Sequence, residues 1–379
     1  GDVVQVSLNH RLNIYGFLDL SDYGSEYALS GIVGMEDIVA ALRWVQDNIS
    51  AFGGDPNNVT IFGESGGGGK VRALMQMGSA DGLYHKAIVD SGILPSRGLG
   101  AQDEKQEALL FAQKIVEKAG GIESLKAMDN YHLQNLIETV SEGGFVNWGP
   151  VPCTGSYSGE WLNTPFREES LHIPLIVGSV YQELVPRPAS ICDKNALSEE
   201  ERFHALEEAY GKEPAPAIRN AFRIAYPELN LYYASLIDSM VRIPTVQFCK
   251  ERVAAGGKDT YNFLFAFETR YKGGLLSTHA DELVFAFHNA EYSGAMFAGS
   301  DTLKMQDMFF NSLMAFAHTG NPNNAFITPW KKVMPDETNC FVFSAAPGNR
   351  IAHDEELMKL IAAYSKHATP RWVKKENFV

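Results

Sequence analysis

A run of apolar and β-prone residues, Val59-Thr60-Ile61-Phe62, ends in Gly63-Glu64-Ser65-Gly66-Gly67 and continues into Gly68, Gly69 and Lys70. Consecutive glycines where a helix should begin cost roughly 1 kcal/mol each relative to alanine, so the stretch must serve some purpose. A phosphate cradle, a linker and a turn built around one serine are the three available. A Walker A loop needs G-x-x-x-x-G-K-[ST]. Counting back from Gly69-Lys70 puts Glu64 where the first glycine belongs, and Val71 follows the lysine. The dinucleotide pattern G-x-G-x-x-G fails as well, because Gly66 and Gly68 lead to Val71, and Gly67 and Gly69 lead to Arg72. A linker does not belong directly behind a buried strand. What fits is G-x-S-x-G over 63–67, in which a strand turns sharply into a helix and presents a strained serine at the apex. On this reading Gly63 and Gly67 permit the turn, the N–H of Gly66 points at an oxyanion, and Gly68 and Gly69 let the helix approach the sheet.

The rest of the chain supplies the frame such a turn needs. "VVQVSL" (3–8), "VTIF" (59–62) and "KAIVDSG" (86–92) read as buried strands. Between the first two lies "GMEDIVAALRWVQDNI", whose Ile38, Leu42 and Val45 recur at helical spacing. This alternation is the rhythm of a parallel sheet with crossover helices. Helical patterns follow from 103 to about 140 and from 197 to about 254, with "IPLIVGS" (173–179) returning to the sheet between them. "YNFLFAF" (261–267) and "CFVFS" (340–344) read as further strands, 301–320 as a long helix and "DEELMKLIAAYSKH" as a closing one. The expectation is one α/β domain over 1–379 with a helix-rich insertion at 100–260 that walls the substrate pocket.

Composition narrows the function classes. The chain carries 32 basic and 46 acidic residues, a net charge of −14, which disfavours a nucleic-acid binder because that needs a basic face. No stretch approaches the roughly 18 apolar residues of a membrane-spanning helix. Cys153, Cys192, Cys249 and Cys340 form no C-x-x-C pair, so a metal site is not expected and buried thiols are the simpler reading. The chain enters a strand-like run at once, without an initiator Met or a leader, and reads as a fragment or one chain of a cleaved protein. The cytoplasm is the favoured compartment, with secretion left open.

At the level of whole motifs the chain resembles the type-B carboxylesterases, the cholinesterase-like branch of the α/β-hydrolases. The resemblance rests on "NHRLNIYGFLDLS", "GMEDIVAALRWVQDNISAFGGDPNNVTIFGESGGGGKV" and "GLYHKAIVDSG". It continues through "IPLIVGSVYQE", "HADELVFAF" and "MQDMFFNSLMAFAHTGNPNN", and is more bacterial than animal after the serine. It implies an α/β-hydrolase fold, with a mostly parallel central sheet covered by helices on both faces. It also implies a serine carboxylic-ester hydrolase without cofactor or metal, acting on a small-molecule ester.

A serine hydroxyl needs an imidazole base, itself oriented by a carboxylate. Ten histidines are present, and composition cannot choose among them. The resemblance selects His279, in "STHADELVFAF", over its neighbour His288, and makes His85 and His318 structural. It selects Glu183, in "IVGSVYQE", as the acid, although Leu184 stands where the family usually has glycine; Asp281 and Glu282 are the nearby competitors. Ser91 matches a serine that bonds the acid, and Glu64 a residue that shapes the site's field. Gly66 is the one oxyanion donor in view. The family's H-G-G-G loop has no counterpart here, which implies that about a hundred N-terminal residues are absent or supplied as a separate N-terminal chain. The alternatives are a non-catalytic binding or adhesion protein on the same fold, and a hydrolase of amides, carbamates or thioesters. Trp148, in "NWGPVPCTGSY", fits a pocket wall or the core equally well.

Overall fold

The computed structural model describes residues 1–94, 101–144, 146, 148–153, 155–161, 164–184, 193–269, 274–294 and 299–364. Among them are eight strands: β1 (Thr60–Glu64), β2 (Lys86–Asp90), β3 (Leu175–Val180), β4 (Thr260–Phe265), β5 (Glu268–Thr269), β6 (Leu275–Leu276), β7 (Asn339–Phe343) and β8 (Gly348–Ile351). One sheet runs in the order β1-β2-β3-β4-β7-β8. Its first five strands are parallel, with Ile61 beside Ala87, Val89 beside Val177 and Gly178 beside Phe263. β8 closes the far edge antiparallel to β7, and β5 and β6 form a separate short hairpin.

Alternation along the strands separates two cores. Ala87, Val89, Leu175 and Val177 join one cluster with Ile38 and Leu42 of the helix Val33–Asn48, Val71 and Leu74 of Gly66–Leu74, and Phe248 of Arg242–Ala254. Ile88, Ile176, Val180, Phe263, Phe265 and Phe343 point into the other, against Met305, Phe309 and Phe316 of the helix Ser300–Thr319. Helices therefore cover both faces, as a parallel sheet requires. Each fully buried phenylalanine of that second cluster contributes about 2–3 kcal/mol. Ser300–Thr319 ends at Gly320, whose φ of 78° is the left-handed conformation that closes helices and suits glycine.

The helical segments fall on both sides of β3. Ala101–Ala119, Ile122–Lys126 and Asn130–Val140 precede it, and Glu199–Tyr210, Ala215–Ala225 and Arg242–Ala254 follow it. Ser198 and Glu201 form a reciprocal capping box at the start of Glu199–Tyr210. Trp148 packs between the first cluster and the helices of 101–140, edge-on to Phe111 at 5.8 Å, so it fills core. Among the described residues no helix is long and apolar enough to cross a membrane.

One expected strand is not a strand. Residues 3–8 carry no regular structure, and Val3, Val4, Val6 and Leu8 are exposed. An apolar β-branched run becomes a strand only when a neighbour takes its N–H and C=O groups, and β1, at this edge of the sheet, pairs only with β2 among the described residues. Cys249 and Cys340 are buried thiols, pushed up to about 12 and about 11 by burial; Cys192 and Thr154 lie outside the described residues.

Candidate active site

The serine stands where β1 gives way to the helix Gly66–Leu74. Ser65 has φ 55° and ψ −122°, a backbone state that costs a non-glycine residue on the order of 1–3 kcal/mol. Its own amide donates to Asp90 O at 2.9 Å, and its carbonyl accepts from Gly69 N at 2.9 Å, so sheet and helix clamp it from both sides. The glycines divide differently from the expectation. A Cβ on Gly63 would lie 2.4–2.8 Å from the backbone of Gly67 and Gly68, and one on Gly68 within 2.8–2.9 Å of Asp90 O, Gly63 O and Gly92 Cα. A Cβ on Gly67 would meet nothing within 4 Å, and one on Gly69 only Gly92 O at 3.9 Å. Turn and close packing therefore depend on Gly63 and Gly68, and not on Gly67 or Gly69.

His279 reaches the serine from the loop after β6. Its Nε2 lies 2.8 Å from Ser65 Oγ, and its Nδ1 lies 2.5 Å from Glu183 Oε2. Two features hold this loop in place. Asp281 Oδ2 accepts from both the amide and the hydroxyl of Thr278 at 2.7 Å. Gln182 bridges to Thr278 in parallel register, its backbone amide donating to Ser277 O at 3.2 Å, so the Glu183 loop and the His279 loop are joined directly.

Glu183 follows β3 and is buried. Its second oxygen accepts from Val180 N at 2.8 Å and from Ser91 Oγ at 2.7 Å. Donors on both oxygens hold this carboxylate in one orientation. The hydrogen bond that the imidazole donates to Glu183, opposed by burial, holds His279 above its usual range. Glu64 Oε1 lies 3.3 Å from His279 Nε2, and burial pushes the Glu64 carboxyl up while the nearby histidine opposes this.

The other sequence candidates sit elsewhere. His288 Nε2 pairs with Asp307 at 3.0 Å, His85 Nδ1 accepts from Val59 N at 3.1 Å, and His318 bonds Gly1 O at 3.0 Å. Asp281 is spent on Thr278, and Glu282 is fully buried. Leu184, where the family prefers glycine, is 45% exposed, so its side chain creates no packing conflict beside the acid. Sequence reading missed Asp90 as a member of this neighbourhood and weighed Glu282 only as a rival to Glu183. Their signals were present, an Asp directly before Ser91 and a Glu three residues after His279, but burial is not visible in either.

The sequence profile described as "Carboxylesterase family" matches residues 1–359. The para-nitrobenzyl esterase of Bacillus subtilis (strain 168) is 30% identical over 338 residues, covering 85% of this chain and 65% of that protein. Carboxylesterase 3B of Mus musculus is 30% identical over 367 residues, covering 88% of this chain and 61% of that protein. The chain thus spans somewhat under two thirds of the length of these relatives. A solved esterase from anaerobic Clostridium hathewayi, described as able to hydrolyse aliphatic aromatic polyesters, superposes with a TM-score of 0.84 at 34% identity, over 94% of this chain and 72% of that one. With an α/β-hydrolase fold, a serine at a strand–helix elbow and a profile match along nearly all its length, this chain belongs to the carboxylesterase family.

Proposed function

We propose that this protein hydrolyses carboxylic esters through an acyl-enzyme formed on Ser65. The observation that carries the proposal is the unbroken line of contacts from Ser65 Oγ to His279 Nε2 at 2.8 Å and from His279 Nδ1 to Glu183 Oε2 at 2.5 Å. Those are hydrogen-bond distances for a nucleophile, its general base and the carboxylate that orients the base.

Ser65 Oγ attacks the ester carbonyl while His279 Nε2 takes its proton. The carbonyl oxygen becomes an oxyanion, and the N–H of Gly66, at the start of the helix Gly66–Leu74, is a donor for it. Collapse expels the alkoxide, which leaves as the alcohol with the proton from His279. A water then delivers its proton to His279 and its oxygen to the acyl carbon, and collapse returns the proton to Ser65 and releases the acid. Glu183 keeps the imidazole in the tautomer with Nδ1–H and stabilises the imidazolium of both steps. Ser91 and Glu64 act at one remove, the first by fixing Glu183 and the second through its charge beside Nε2. The helical segments on either side of β3 are the natural walls for acyl and alcohol groups, and the choice of ester is made there.

Ser65→Ala should abolish hydrolysis of a p-nitrophenyl ester and labelling by a fluorophosphonate probe, with an unchanged thermal unfolding profile. Hydrolysis that persists in the variant would refute the nucleophile. A native protein that neither turns over esters nor takes the probe would favour a binding role instead.

A further inference from the structure

Two cations lie on the helix Gly66–Leu74, and they differ in what they meet. Arg72 pairs with Glu160, its Nη2 donating to Oε1 at 2.9 Å. Lys70 is half-buried and pairs with no carboxylate among the described residues. Its ammonium donates to one polar atom, Gly66 O, at 3.3 Å. Burial pulls its pKa below the usual lysine range, and no neighbouring charge opposes the shift. The position is unfavourable for a second reason. The side chain runs back along the helix, so the ammonium lies beside the first helical residue, at the positive end of the dipole, where an anion is favoured and a cation is not. A cation so placed is stabilised by a negative charge brought to it from outside.

The ammonium stands at the residue next to the reacting serine. Gly66 is exposed, and a Cβ built on it would meet only Lys70 Nζ, at 3.8 Å. The N–H of Gly66 is the donor for the acyl oxyanion in the mechanism above, so the part of the substrate nearest Lys70 is its acyl group. The glycine run contributes as well. With no side chain on Gly66, Gly67 or Gly69, nothing from the first helical turn screens the ammonium from a bound ester. We propose that Lys70 is a specificity residue that binds a free carboxylate on the acyl group, which makes half-esters of dicarboxylic acids the preferred substrate class. This rests on the Ser65 reading above. The carboxylates grouped around His279, Glu64 at 3.3 Å and Glu183 at 2.5 Å, repel such a substrate, so its acceptance depends on Lys70.

Kinetics on p-nitrophenyl hydrogen adipate and p-nitrophenyl hexanoate, esters of equal acyl length with and without the carboxylate, test this. The native protein should favour the adipate in kcat/KM. Lys70→Met should lower the adipate-to-hexanoate ratio at least about tenfold, chiefly through KM, whereas Lys70→Arg should keep it within about threefold. A second measurement needs no turnover. Calorimetry should detect binding of monomethyl adipate to Ser65→Ala, and the Ser65→Ala/Lys70→Met double variant should lose it. A native preference for the hexanoate, an unchanged ratio or an equal loss on both esters in Lys70→Met, a ratio lost equally in the Met and Arg variants, or no binding to Ser65→Ala would overturn the proposal. A native protein that hydrolyses neither ester, while monomethyl adipate binding depends on Lys70, contradicts the Ser65 reading and not the role of Lys70.

Discussion

Ser91 and Glu183, 92 residues apart in sequence, meet at 2.7 Å, and the hydroxyl donates to the one carboxylate oxygen that His279 does not occupy. Ser91 sits at φ 47°, so its hydroxyl is aimed by a strained strand end. A hydrogen bond to a charged group contributes about 1.5–3 kcal/mol. Ser91→Ala leaves Val180 N alone on that oxygen, and kcat should fall about tenfold or more with KM within about twofold. Steady-state kinetics on one ester suffices, and a rise in KM at constant kcat would contradict the positioning role.

The pH dependence has a defined sign. On the proposed mechanism His279 must be neutral to accept the serine proton, and its hydrogen bond to Glu183 holds its pKa above the ordinary imidazole value. Activity should therefore fall as pH drops through a point above that value. Glu183→Gln removes the main cause of the shift, moves the limb to lower pH and lowers the plateau on the order of 10³–10⁴-fold. A native limb at or below the ordinary imidazole range in kcat/KM would rule out this coupling.

Two neighbouring glycines should respond oppositely to the same change. Gly68→Ala drives a Cβ to within 2.8–2.9 Å of backbone oxygens of Asp90 and Gly63, atoms that cannot step aside without moving β2 or the elbow. It should destabilise the fold by about 1–3 kcal/mol and displace the serine. Gly67→Ala meets nothing within 4 Å and should stabilise the helix by up to about 1 kcal/mol. Urea melts of the two variants give the comparison; equal effects would refute the close-approach account.

Away from the site, Asp354 accepts from Arg242 Nε at 2.9 Å, Arg242 Nη2 at 3.0 Å and the Tyr226 hydroxyl at 2.8 Å. Burial alone would raise its carboxyl pKa, but Arg242 and its neighbours hold it far below the usual range. The stabilisation is thus present above the unfolded carboxylate pKa of about 4 and lost as pH falls toward the folded value. Asp354→Asn leaves the Arg242 guanidinium buried and uncompensated, and should cost about 3–5 kcal/mol at neutral pH, less in acid. Chemical denaturation at two pH values measures both, and a loss independent of pH would count against the ion pair.

The strands at 59–62, 86–92, 173–179, 261–267 and 340–344 were legible because parallel strands buried on both faces read as continuous apolar runs. The same signal misled at 3–8, where the side chains suit a strand but no backbone among the described residues pairs with them. β8 (Gly348–Ile351) was illegible for the converse reason, since "GNRI" has no apolar pattern and its hydrogen bonds come from β7. In the site, Ser65 is readable from five local residues because its strain needs local glycine. His279 and Glu183 needed a resemblance, because nothing in their own segments says which loop they will face. Asp90 escaped altogether and Glu282 was weighed only as a rival to Glu183, because the burial of both is set by the fold and not by their own segments.

The distances in sequence between Ser65, Glu183 and His279 have a kinetic meaning. Ser65 and His279 are separated by 214 residues, and His279 and Glu183 by 96. Such contacts form late and slowly, because long stretches of chain must be closed before they are rewarded. A fluorophosphonate that captures Ser65 would therefore act as a stopwatch for refolding, marking the moment the ends of β1 and β3 and the loop after β6 have come together.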